Sequence, residues 1–74
     1  MPKLRSRMRV LMAEKGLREK RRITLIIVAE ETDLSKPTVM KMARDEVAQI
    51  KGETVATLCE YFECNVGDLL YVEH

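Results

Sequence analysis

The stretch from Thr24 to Arg44, TLIIVAEETDLSKPTVMKMAR, constrains the fold more than any other, because it encodes two short helices with almost no chain between them. Leu25, Val28, Ala29 and Thr32 recur at i, i+3, i+4 and i+7 and line one helical face, and Thr24 is placed as the N-cap whose hydroxyl accepts a backbone N–H. Ser35 is a second cap, Pro37 sits where a first helical turn tolerates proline, and Val39 with Met42 or Ala43 points inward. Helices joined by so short a link cross sharply. The corner needs a small residue at the close approach, a turn residue that accepts positive φ, and apolar residues that lock the pair. Ala29, Asp33, Leu34 and Val39 supply these in order. Asp33 enters the left-handed region less freely than glycine, at a cost of about 1 kcal/mol.

With 74 residues the chain forms one domain, 1–74, near the size at which a core is marginal without help, so oligomerisation is expected. No apolar run is long enough to span a bilayer and no signal-peptide pattern is present, which predicts a cytoplasmic protein. Cys59 and Cys64 are too few for a disulfide scaffold and read as reduced, mostly buried thiols. The net charge of +1 conceals an asymmetry: residues 1–22 carry nine basic and two acidic side chains, net +7, and the rest carries net −6. The basic part can face a polyanion while the acidic part stays in solvent or repels wrong partners.

Along the chain, Leu4, Met8, Leu11 and Met12 predict an amphipathic first helix ending near Gly16, with Arg5, Arg7 and Arg9 mostly off its apolar stripe. LREKRR, residues 17–22, has no apolar period. It reads either as a solvated loop or as a basic segment, Lys20, Arg21 and Arg22, beside the start of the second helix. ITLIIV, residues 23–28, has the composition of a buried strand, and the AEETD that follows argues for helix. As helix it leaves Ile26 and Ile27 off the inward stripe, where they are either covered by the preceding loop or form a partner surface. Residues 45–53, DEVAQIKGE, read as a loop anchored by Val47 and Ile50. A fourth helix starts near Gly52 with Glu53 at its positive end and buries Val55, Leu58, Cys59 and Phe62. Asn65 caps a short fifth helix, Val66 to Leu70, with Asp68 as capping-box partner and Leu69 and Leu70 closing the core.

The spacing of Ala29, Leu34 and Val39 around the corner resembles the helix-turn-helix of the Cro and lambda-repressor type, and TLCEYFECNVGDLLYVE, residues 57–73, resembles the C-terminal half of its small single-domain members. The resemblance covers roughly residues 4 to 72 and implies an all-α fold: a compact five-helix bundle whose helices two and three form the helix-turn-helix, 24–44, preceded by a basic N-terminal helix and loop, 3–22. In such proteins the second helix of the motif enters the major groove and the first crosses the backbone. Carried over, Ser35, Lys36, Pro37 and Thr38 stand at the groove end of that helix, with Met40, Lys41 and Arg44 further along its exposed face. Lys36 and Lys41 can donate to guanine O6 and N7 or to phosphates, Thr38 can donate or accept, and Met40 or the Thr38 methyl can touch a thymine methyl. The expected base contacts are therefore Ser35, Lys36, Thr38, Met40 and Lys41. Thr24, Arg22, Arg44 and Lys51 are the expected phosphate contacts. Relatives often place a glutamine one residue after the cap, where this chain has Leu25.

Catalysis and metal binding are not expected. The one histidine is His74, no serine or cysteine has a base at a useful sequence relation, and Cys59, Cys64 and His74 lack a ligand spacing. No cofactor is implied. Two function classes follow. The first is a sequence-specific transcription regulator, a repressor in the cytoplasm of a bacterium or phage-infected cell that binds a palindromic operator on double-stranded DNA as a homodimer. The alternative is a protein-interaction module, such as an antitoxin or adaptor, docking a partner at Ile26/Ile27 or through the C-terminal YVEH.

Overall fold

The computed structural model describes residues 2–47 and 49–74; Met1, and Ala48 within the expected loop 45–53, lie outside them. Strand β1 (Lys3–Ser6) leads into helix α1 (Met8–Glu19), followed by α2 (Leu25–Thr32), α3 (Lys36–Ala43), α4 (Gly52–Phe62), α5 (Val66–Leu69) and strand β2 (Leu70–Glu73). Each helix gives the core at least one side chain with essentially no exposed surface: Met8, Val28, Val39, Met42, Leu58 and Leu69. Among the described residues there are five helices of the expected order and spacing, and the fold is mostly helical rather than all-α.

The departure is a two-stranded antiparallel ribbon pairing Lys3 with Glu73, Leu4 with Val72, Arg5 with Tyr71 and Ser6 with Leu70. The Arg7 N–H donating to the Leu69 carbonyl at 2.7 Å extends the ladder by one bond. Leu4 is thus a strand residue and exposed, not the start of the first helix, and Leu70 belongs to β2 rather than α5. A loop residue fastens the ribbon to the bundle. Asp45, itself at φ 64°, accepts the Ser6 N–H at 2.7 Å and an Arg5 guanidinium N–H at 3.1 Å. The Ser6 N–H, and then Arg5, hold its carboxyl below the usual range.

Helix α1 also runs past its expected end. Gly16 lies inside it, residues 17–19 of the supposed loop are its last turn, and Lys20 closes it in the left-handed region at φ 55°. The glycine has a different role: a Cβ on Gly16 would stand 2.6 Å from the Arg21 carbonyl oxygen, so its absence lets the chain fold back tightly behind the helix. The Arg21 N–H donates to the Gly16 carbonyl at 3.0 Å.

In α4 the buried residues are Thr54, Leu58 and Phe62, while Val55 and Cys59 are half-buried, a rotation of the inward face by about one residue. Cys59 and Cys64 are both free and half-buried rather than mostly buried. Burial, with Cys59 beside it, pushes the Cys64 thiol up to about 11. Asp68 accepts the Asn65 N–H at 3.0 Å, as its place in the capping box predicts.

Candidate nucleic-acid interface

Helices α2 and α3 form the corner read from the sequence. The Thr24 hydroxyl accepts the Ile27 N–H at 3.2 Å, and the Ser35 hydroxyl accepts the Thr38 N–H at 3.3 Å. Asp33 ends α2 at φ 62°, the left-handed turn residue, and three residues later the chain has begun α3 with Pro37 in its first turn. The Thr32 hydroxyl donates back to the Val28 carbonyl at 2.6 Å and accepts the Leu34 N–H at 3.3 Å, which fastens the turn from inside. Ala29 is buried in the core, and Leu34 packs half-buried against it.

Because Val39 and Met42 are buried, the 3.6-residue period turns Lys36, Met40 and Arg44 outward in one row, with Pro37 and Lys41 beside it; all five are exposed. The residues expected to meet bases therefore divide into two groups. Lys36, Met40 and Lys41 lie on the free face. Ser35 and Thr38 are tied to each other through their hydroxyls at 2.7 Å, so one hydroxyl proton already has a partner, and Thr38 is half-buried. Of the residues expected at phosphates, Arg22 and Arg44 are exposed, Thr24 is half-buried at the amino end of α2, and Lys51 is exposed at the amino end of α4.

The basic amino-terminal third is less available than its charge suggests. Arg21 pairs bidentately with Glu31 at 2.8 Å on each side, and its Nε donates to Glu19 at 2.8 Å. Arg5 is held between Asp45 and Glu73, both at 3.1 Å. Lys15 is buried: its ammonium donates to the Tyr61 carbonyl at 3.1 Å, pairs with Glu19 at 2.7 Å and lies 4.3 Å from the centre of the Tyr61 ring. Lys3, Arg7, Arg9, Arg18, Lys20 and Arg22 remain exposed. Lys15 could have been found from its place on the Leu11/Met12 stripe, which its charge disguises.

Ile26 and Ile27 do not form one surface. Ile27 is half-buried against the core, whereas Ile26 is exposed and turns toward α3. There it joins Thr24, Leu25, Lys36 and Met40 around an almost wholly apolar hollow of about 420 Å³ between the first turns of the two helices. Leu25 contributes to its wall.

No helix among the described residues is long and apolar enough to cross a membrane, and no cluster of three or more His, Cys, Asp or Glu among them could hold a metal ion. A family model, the Cro/C1-type HTH DNA-binding domain, matches residues 7–74. No curated protein and no solved structure gives a significant match to the chain.

Proposed function

The chain belongs to the Cro/C1-type helix-turn-helix DNA-binding domains, and from that premise we propose that it is a transcriptional repressor binding a palindromic operator as a two-fold dimer. The observation that carries this reading is the outward row of α3, Lys36, Met40 and Arg44 with Lys41 alongside, on a helix whose opposite side is locked by Val39 and Met42. A rigid helix with donors on its free side is what base-edge readout in the major groove requires. Lys36 and Lys41 read guanine O6 and N7. Ser35 and Thr38, coupled through their hydroxyls, act as one short-range donor and acceptor at the groove end of the helix.

Phosphates are held at the amino ends of helices, where N–H groups without intrahelical partners and the helix dipole favour an anion. Thr24 at α2 and Lys51 at α4 occupy such ends, and Arg22 and Arg44 flank the motif. A small domain of this kind gains affinity chiefly by symmetry: a second copy on the other half-site doubles these contacts. Its place of action is the cytoplasm of a bacterium or phage-infected cell, beside the DNA it regulates.

Selection from a pool of random duplexes at about physiological salt tests the reading, since specific sites outcompete non-specific DNA by ~10³-fold or more. A palindromic enriched motif is the expected result, with its half-site spacing reporting the dimer. Salt-sensitive binding without enrichment, or no binding, would overturn it in favour of a protein-interaction module.

A further inference from the structure

The apolar hollow between α2 and α3 has no counterpart in a surface built only to hold phosphates. Its walls are the Leu25 and Ile26 side chains from the first turn of α2 and Met40 from the free row of α3, with Ile26 54% and Met40 36% exposed. Lys36 and Thr24 form the remainder of the lining, so none of its five described residues is acidic. Two eight-residue helices begin at its edge, both with their positive ends there. An apolar floor inside a positive rim complements an apolar group displayed between phosphates. In the major groove that group is the 5-methyl of thymine, the one hydrophobic feature of a base edge.

We infer that this hollow reads the 5-methyl group of thymine, and that Ile26 of the non-recognition helix together with Met40 is a specificity determinant. The inference rests on the DNA-binding reading above and deepens it by assigning base readout to α2 as well as α3. Thymine is then required in each half-site next to the base pair met by Lys36. The volume exceeds that of one methyl group, so adjacent thymines on one strand fit as well as a single one.

The experiment uses the full chain and the duplex enriched by selection, with each thymine replaced in turn by uracil, which removes the methyl and leaves every hydrogen-bonding group. At one or two positions per half-site the affinity falls about fourfold per methyl, the value of burying one such group. In the Ile26→Ala, Met40→Ala double variant, thymine and uracil duplexes bind alike. Both side chains are exposed, and an unchanged melting temperature identifies the variant as folded; if the pair proves unfolded, Met40→Ala alone serves, with the uracil penalty reduced.

Specific binding insensitive to uracil at every position would overturn the inference while leaving the DNA-binding reading intact, and would give the hollow to an apolar side chain of a protein partner. A uracil penalty of the same size in the variant would equally overturn it, placing the methyl elsewhere. Absence of any enriched sequence would overturn both.

Discussion

Arg21 meets Glu31 through both terminal guanidinium nitrogens, each 2.8 Å from a different carboxylate oxygen, and the Tyr61 hydroxyl donates to the same carboxylate at 2.6 Å. Three segments thus converge on one acidic side chain: the exit from α1, helix α2 and helix α4. Bidentate geometry makes arginine irreplaceable by lysine at this position.

One part of the pH dependence of stability follows from that carboxylate. Arg21 first, and Tyr61 second, lower Glu31 from 4.5 to about 2. A carboxylate depressed in the folded state binds protons more readily when unfolded, so its contribution is present above 4.5 and is lost as pH falls toward 2. Urea unfolding of the wild type and of Glu31→Gln as a function of pH should show a gap at neutral pH that narrows across this window. A gap independent of pH would exclude the ion pair as its source.

Glycine-to-alanine exchange inside a helix ordinarily stabilises by roughly 1 kcal/mol. Gly16→Ala is expected to do the opposite, because its Cβ would lie 2.6 Å from the backbone oxygen of Arg21, which cannot swing aside as a side chain could. Opening the turn should cost about 1–3 kcal/mol, the range of forced overpacking, and disturb the Arg21–Glu31 pair with it. Thermal denaturation gives the sign directly.

Asp33 and Glu63 end their helices at φ 62° and 55°, as side-chain-bearing residues in the left-handed region. Asp33→Gly and Glu63→Gly should each stabilise the domain by about 1 kcal/mol by relieving that backbone energy. Denaturant midpoints that rise without a change in m-value are the expected signature.

Specificity and salt dependence should separate by residue. Lys36→Ala with Lys41→Ala is expected to remove most of the preference for the selected site while leaving the melting temperature unchanged, both side chains being exposed. Loss of Arg22, Arg44 or Lys51 should weaken binding to all duplexes alike and reduce the logarithmic salt slope by about 0.9 for each lost phosphate contact. Arg21→Gln should lower stability with little effect on that slope, since its guanidinium is held by Glu19 and Glu31.

The helical corner was readable because its determinants are local. Thr24 and Ser35 cap N–H groups three residues away, and Asp33 sets a single turn, so spacing alone is sufficient evidence for each. The ribbon was not readable, because Leu4 stands four residues before Met8 and imitates another helical turn, while its true partner, Val72, lies at the far end of the chain. The charge count of the amino-terminal third overstates how many of its cations are free, for a related reason. A count of basic residues cannot see that Lys15 is buried under Tyr61, or that Arg5 and Arg21 are held by carboxylates distant in sequence. At the candidate interface, periodicity located the free face of α3, yet only the packing of the helices showed Ile26 and Ile27 parting company, one toward Met40 and the other toward the core.

The pairing of Lys3 with Glu73 makes the described chain almost a closed circuit, its two extremities side by side at the ordinary separation of neighbouring strands. A few flexible residues could join them and the backbone be reopened after Arg22, which leaves the Gly16–Arg21 turn and the Arg21–Glu31 pair intact, yielding a circular permutant with the same corner and the same outward row on α3. Such a rearranged molecule keeps every contact of the ribbon while making it local in sequence, and by lowering contact order it should fold faster than the parent.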